Sequence, residues 1–206
     1  MATLTKPNMV KILPEGSVGS AKVEHFKLTK DRIFLDNLRY LRDGMNFMQV
    51  DPGHYAKLVT ERGLEMSDTQ MEWRTNLPFL RAAHGRVLIA GLGIGMVLVP
   101  LLKKKEVKSI QVVELNNDVI KLVSPHIKHQ KLEVVHGDIE AHRNEINGHK
   151  FDTIYFDIWP DINTDNLVQM TRLRRMYRSA LNKSNPSAWI GCWTQDILRV
   201  LKRHGR

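Results

Sequence analysis

Arg86-Val87-Leu88-Ile89-Ala90-Gly91-Leu92-Gly93-Ile94-Gly95-Met96-Val97-Leu98-Val99-Pro100-Leu101-Leu102, then a lysine run and Ser109-Ile110-Gln111-Val112-Val113-Glu114, is the stretch that decides the fold of this 206-residue chain. An apolar run from Val87 to Ala90 meets three glycines at alternate positions. An amphipathic segment follows, and a second apolar run ends on a carboxylate. The order is strand, glycine turn, helix, strand, acid. In an α/β sheet that order builds a nucleoside-binding site at the carboxyl ends of the strands. Pro100 falls in the expected helix, where an interior proline costs about 3 kcal/mol. Either it lies in the first turn or the helix is kinked.

Downstream, Asn116 or Asn117 can cap a helix through Val119, Ile120, Leu122 and Val123, closed by Pro125. A third strand, Leu132 to Val135, runs into His136-Gly137-Asp138. A fourth, Phe151 to Phe156, ends at Asp157 and is followed by Ile158-Trp159-Pro160-Asp161. A helix over 165–181 carries Leu167, Met170, Leu173, Met176 and Tyr177 on one face and Arg172, Arg174, Arg175 and Arg178 elsewhere. Ala188 to Trp193 reads as a fifth strand. Thr194 is the expected cap of a last helix, which ends in Lys202, Arg203, His204 and Arg206. Strands alternating with helices predict an α/β fold: a Rossmann-like, mostly parallel sheet of about five strands with helices on both faces.

Upstream, residues 1–20 are rich in Pro, Gly, Ser and Lys and show no period, which predicts a flexible arm. Residues 21–28 alternate as a strand. Asp31 can then cap a helix with Ile33, Phe34, Leu38 and Leu41 on its apolar face, stopped by Gly44. Asp51-Pro52-Gly53 is a turn, and 55–60 with 64–67 form a hairpin. Ser67 or Asp68 is the expected N-cap of a helical region reaching His84. Pro78 argues for a break in its middle. The predicted organisation is an arm (1–20), a small strand/helix/hairpin extension (21–68) and a Rossmann-like domain (69–206).

Apolar content of 42% and charged content of 26% are ordinary for a globular protein. No run of eighteen apolar residues suggests a membrane span, and the first twenty residues lack a signal-peptide core. One cysteine, Cys192, excludes a disulfide framework and a Cys-rich zinc site. His126 and His129 have helical spacing but no third ligand nearby in sequence, so no metal site is expected. These features predict a cytoplasmic protein. The net charge of +9 attracts anions, so nucleic acid is kept as a partner beside a small-molecule substrate, and a homodimer is kept open.

Each strand end carries a group suited to part of a nucleoside cofactor. Gly91, Gly93 and Gly95 allow a tight turn and close backbone approach to a ligand. Glu114 can accept from a ribose diol, Asp138 from an adenine amino group, and Asp157 faces the reactive end. A dinucleotide fingerprint wants its third glycine at 96, where this chain has Met96.

The glycine spacing, with acids ending strands two, three and four, resembles the S-adenosylmethionine site of class I methyltransferases and the related site of spermidine synthase-like aminopropyltransferases. The resemblance covers about residues 67–200. It implies that Gly91, Gly93 and Gly95 lie against the methionine moiety, that Glu114 with Leu115 holds the ribose, and that Asp138 with Ile139 holds the adenine. The segment from Asp157 through Arg174, Arg175 and Tyr177 is similar to small phage and actinobacterial proteins described as methyltransferase-like. Aminopropyltransferases carry Asp-Ser-Ser-Asp-Pro after the fourth strand, whereas this chain reads Asp157-Ile158-Trp159-Pro160-Asp161.

The function expected is methyl transfer from S-adenosylmethionine to an unidentified acceptor. Asp157 and Asp161 are the candidate base and orienter, Trp159 the candidate stacking platform, and Glu72 a further acid. Aminopropyl transfer from decarboxylated S-adenosylmethionine is the first alternative. It needs an acidic pocket, for which a +9 chain is an awkward host. The second alternative is a nucleic-acid-binding protein with a vestigial cofactor site, motivated by the arginine-rich helix and basic C-terminus.

Overall fold

The computed structural model describes residues 4–143, 146, 148 and 150–204. The first three residues of the expected arm and the terminal Arg206 lie outside the described residues. Among the described residues nine strands form two sheets. The first sheet is antiparallel, in the order β1 (Gly16–Val18), β2 (Ala21–Leu28), β3 (Gly53–Thr60), β4 (Gly63–Ser67). The second contains β5 (Gly85–Ala90), β6 (Val107–Glu114), β7 (Leu132–His136), β8 (Thr153–Phe156) and β9 (Trp189–Cys192). Its order is β7-β6-β5-β8-β9, and every pair is parallel. This is a Rossmann-like α/β sheet whose order reverses between β5 and β8, beside the strand that carries the glycine turn. Its middle strands read as continuous apolar runs because helices cover both faces: Val87, Leu88, Ile89 and Ala90 are all at most 1% exposed.

Seven α-helices accompany the strands: α1 (Lys30–Arg42), α2 (Gln70–Ala82), α3 (Leu98–Lys103), α4 (Asn117–Val123), α5 (Ile139–His142), α6 (Asn166–Tyr177) and α7 (Gln195–Arg203). Pro100 is the third residue of α3. First-turn amides have no intrahelical acceptor, so its missing N–H costs that helix nothing. Pro78 does not break α2. It sits on the exposed face, where water can reach the Arg74 carbonyl that lacks its i+4 donor.

Several expectations are corrected. Residues 4–20 are not a loose arm. Met9, in a short 3-10 turn (Met9–Lys11), and Leu13 are fully buried, and Gly16–Val18 is an edge strand. Asp68 explains this anchorage. It does not cap α2, whose N-cap is Thr69. Its buried carboxylate accepts from the Met9 amide (3.1 Å), the Ala56 amide (2.7 Å) and Lys6 Nζ (3.2 Å). A carboxylate taken out of water needs such donors, so one acid ties the chain start to β3. α1 is capped by Thr29 Oγ1 rather than by Asp31. Only Ile33 of its predicted apolar face is buried; Phe34, Leu38 and Leu41 are exposed. α6 stops at Tyr177 rather than at Leu181. Thr194 makes no side-chain cap.

The two sheets share one core. Met9, Val23, Ala56 and Leu58 from the N-terminal region pack in the same cluster as Phe79, Val87, Ile89 and Tyr155. A second cluster on the other face of the parallel sheet holds Leu88, Ile154, Phe156, Met170, Leu173 and Tyr177.

Candidate functional site

A cleft of about 390 Å³ opens at the carboxyl ends of β5, β6, β7 and β8. That lies within the ~300–1,000 Å³ usual for small-ligand sites. Gly91, Gly93, Glu114, Leu115, Asp138, Ile139, Asp157, Trp159 and Glu72 all line it. Gly95 and Asp161 do not. Gly95 turns away and packs where an added Cβ would collide with Ile127. Asp161 is exposed beyond the cleft and accepts a hydrogen bond from Asn166 Nδ2 at 3.3 Å.

The glycine turn is built first by the protein itself. Gly91 has φ 96°, and a Cβ there would strike the carbonyl oxygen of Asp157. The two strand ends can therefore approach this closely only if position 91 is glycine. A Cβ on Gly93 would strike the Met66 sulfur, which also accepts from the Ile94 amide at 3.2 Å. Sequence reasoning assigned both glycines to ligand approach; protein neighbours already require them.

Glu114 holds the turn from the neighbouring strand. Its Oε2 accepts from the Leu92 amide (2.7 Å) and its Oε1 from the Asn116 amide (2.8 Å). Each carboxylate oxygen has a second lone pair, so a diol can still be accepted from the cleft side. Asp138 caps α5 through Oδ1, which accepts from the Glu140 amide at 2.8 Å, while Oδ2 has no partner among the described residues. Gly91, Glu114 and Asp138 thus stand along one wall in an arrangement that fits a ribose and base. Trp159 is 7% exposed and packs in the second core cluster. Its Nε1 donates to Gln169 Oε1 at 2.9 Å. Its wall position is shared with a packing role, which is why a free stacking platform is not what the chain presents.

Two acids lie where the reactive end of such a ligand would point. Burial pushes the Asp157 carboxyl up to about 7. Burial, and then the negative charge of Asp157, push Glu72 up to about 8. Glu72 is 9% exposed and comes from α2, outside the parallel sheet.

Sequence reasoning missed the opposite wall. Leu58, Thr60, Arg62, Glu65 and Met66, all from the β3–β4 hairpin, line the cleft. The hairpin was legible, but its position over the glycine turn was not. The cleft lining carries six carboxyl groups, those of Glu65, Glu72, Glu114, Asp138, Glu140 and Asp157, against the single guanidinium of Arg62. The net charge of +9 made an acidic pocket an awkward expectation, yet acids outnumber basic side chains in this lining.

No protein-family model matches the sequence, and no curated protein matches it. Solved structures do match. Spermidine synthase from Thermotoga maritima is 18% identical, with a TM-score of 0.43, over 63% of this chain and 50% of that one. A putative caffeoyl-CoA O-methyltransferase from Staphylococcus aureus is 14% identical, with a TM-score of 0.43, over 75% and 69%. A putative SAM-dependent methyltransferase from Streptococcus mutans is 13% identical, with a TM-score of 0.46, over 77% and 39%. The match to the spermidine synthase thus spans half of that enzyme's length.

Proposed function

We propose that the protein binds S-adenosylmethionine in the strand-end cleft and transfers its methyl group to a small-molecule acceptor. The observation that carries this reading is the meeting of the Gly91–Gly93 turn, Glu114 and Asp138, from three adjacent strands, on one cleft with Asp157 at its far end. Bound there, the cofactor supplies an electrophilic methyl on a sulfonium. The chain's own work is positioning and proton removal. Glu114 and Asp138 fix the nucleoside, which sets the direction in which the reacting end points. Asp157, pushed up to about 7, is the group that accepts a proton from the acceptor near neutral pH, while Glu72, at about 8, keeps its own proton there. General-base assistance of this kind contributes roughly 10²–10⁴-fold. Both carboxyls would lose their protons more readily beside a bound cation such as a sulfonium.

A second reading, aminopropyl transfer from decarboxylated S-adenosylmethionine to an amine, is favoured by the six carboxyl groups of the lining. Calorimetry separates the two. Tighter binding of S-adenosylmethionine and S-adenosylhomocysteine supports methyl transfer; tighter binding of the decarboxylated form supports aminopropyl transfer. Absence of binding by all three rules out both.

A further inference from the structure

A second cavity, of about 240 Å³, lies at the carboxyl end of β9, beyond the four strands that carry the cleft. Its charge is opposite to that of the cleft. Arg74, Arg174 and Arg199 line it, and the only acid among its lining residues is Asp196, which is largely exposed and paired with Arg199 at 3.1 Å. Arg74 already donates to the Gln49 carbonyl at 2.8 Å and lies 3.7 Å from Asp51. Arg174 donates through Nη1 to Gln195 Oε1 at 3.1 Å.

Three independent features converge here. The nine-residue helix α7 begins at the cavity with no side-chain cap, because Thr194 Oγ1 donates instead to the Trp193 carbonyl. Its first-turn amides and positive dipole end are therefore left for an external acceptor. Thr194 has φ 54°, the one non-glycine residue with positive φ among the described residues. Gln195 is 5% exposed, yet its Nε2 has no hydrogen-bond partner among the described residues, and neither has the buried Nε of Arg174. A buried donor without an acceptor is unfavourable. Two such donors beside an uncapped helix end and an unpaired share of positive charge ask for one acceptor with several oxygens.

We propose that this cavity is a phosphate-binding site, separate from the cofactor cleft. Phosphate is the acceptor that matches a guanidinium, helix amides and a carboxamide together. Trp189, half-buried, lines the cavity and gives an adjoining ring or apolar group a surface to rest on. Trp193, which lines the cleft, donates through Nε1 to Oγ1 of Thr75, which lines the cavity, at 2.9 Å.

The test is calorimetric titration with inorganic phosphate, adenosine monophosphate and a short single-stranded DNA, on the full chain and on Arg174→Gln, Gln195→Leu and Arg199→Gln. Inorganic phosphate binds the parent chain, and each substitution weakens it by roughly tenfold or more. Arg199 is the most exposed of the three and keeps the test open if a buried substitution unfolds the chain, as circular dichroism would reveal. Adenosine monophosphate binding without DNA binding assigns the site to small phosphorylated ligands; DNA competing with phosphate assigns it to a nucleic-acid backbone. Absence of phosphate binding, or equal affinity in parent and variants, overturns the proposal. S-adenosylhomocysteine titrated into the same variants binds as in the parent, so failure of the cofactor reading and failure of this site are distinguishable.

Discussion

The parallel sheet ends in two cavities of opposite character. One lies over β5–β8 with six carboxyl groups and one guanidinium; the other lies at β9 with three guanidiniums and one exposed carboxylate. Only a few side chains, Thr75 and Trp193 among them, stand between them. The pair shows that net charge says little about a site. The cleft is lined mainly by acids and the cavity at β9 mainly by arginines, so the formal total of +9 describes neither lining.

The comparison can be broken or sharpened in graded steps. Asp157→Asn removes the half of the acid pair that sits at the reactive end. It should lower turnover by roughly 10²–10⁴-fold while leaving S-adenosylhomocysteine binding nearly intact. Equal losses in binding and turnover would show that Asp157 only supports the fold. If the proposed methyl transfer holds, kcat/KM of the parent chain should rise with pH through about 7, where Asp157 loses its proton.

Glu114→Ala strips the acceptor from two backbone amides and from any ribose. Hydrogen bonds to a charged group are worth about 1.5–3 kcal/mol each, so cofactor affinity should fall by roughly ten- to a hundredfold in calorimetry. Phosphate binding at the β9 cavity should not change.

Glu72→Gln tests the cost of the buried acid. Its value in the folded protein, about 8, lies above the ordinary 4.5. The folded state therefore favours the protonated form, and the parent loses stability as pH rises from about 4.5 through about 8. The variant has no proton to lose there. It should melt higher than the parent at pH ~9, by an amount on the order of 1–3 kcal/mol, and alike at pH ~4. Thr75→Val leaves Trp193 Nε1 without its acceptor. It should cost about 1–2 kcal/mol in denaturant unfolding and loosen the division between the two cavities. Asp161→Asn should change turnover and stability within about 0.5 kcal/mol, since Asp161 is exposed and outside the cleft.

Much of the cleft was legible in the chain. Gly91, Gly93, Glu114, Asp138 and Asp157, which line the cleft, were singled out because they follow apolar runs, whereas Leu115 and Ile139 came only from the resemblance. In a parallel sheet, consecutive strand ends meet on one rim. Glu72 was noticed only as an acid before the first parallel strand, and its coupling to Asp157 has no sequence signature. Asp161 was chosen by proximity along the chain, but the residues after Asp157 carry it out to solvent. Gly95 was chosen by spacing, yet its turn points at Ile127.

Sequence by itself determined the alternation of strand and helix, the order of the parallel sheet's building units and the rim on which a ligand site forms. Periodicity and glycine chemistry are local, and a right-handed crossover leaves little freedom in joining such units. Tertiary structure alone decided which way side chains at the ends of those units face. It laid the β3–β4 hairpin over the glycine turn, buried Met9 and Leu13 through the Asp68 carboxylate, and sorted the acids from the arginines into separate cavities. Those outcomes depend on contacts between residues dozens of positions apart. Burial, charge coupling and unmet donors exist only once such residues are brought together.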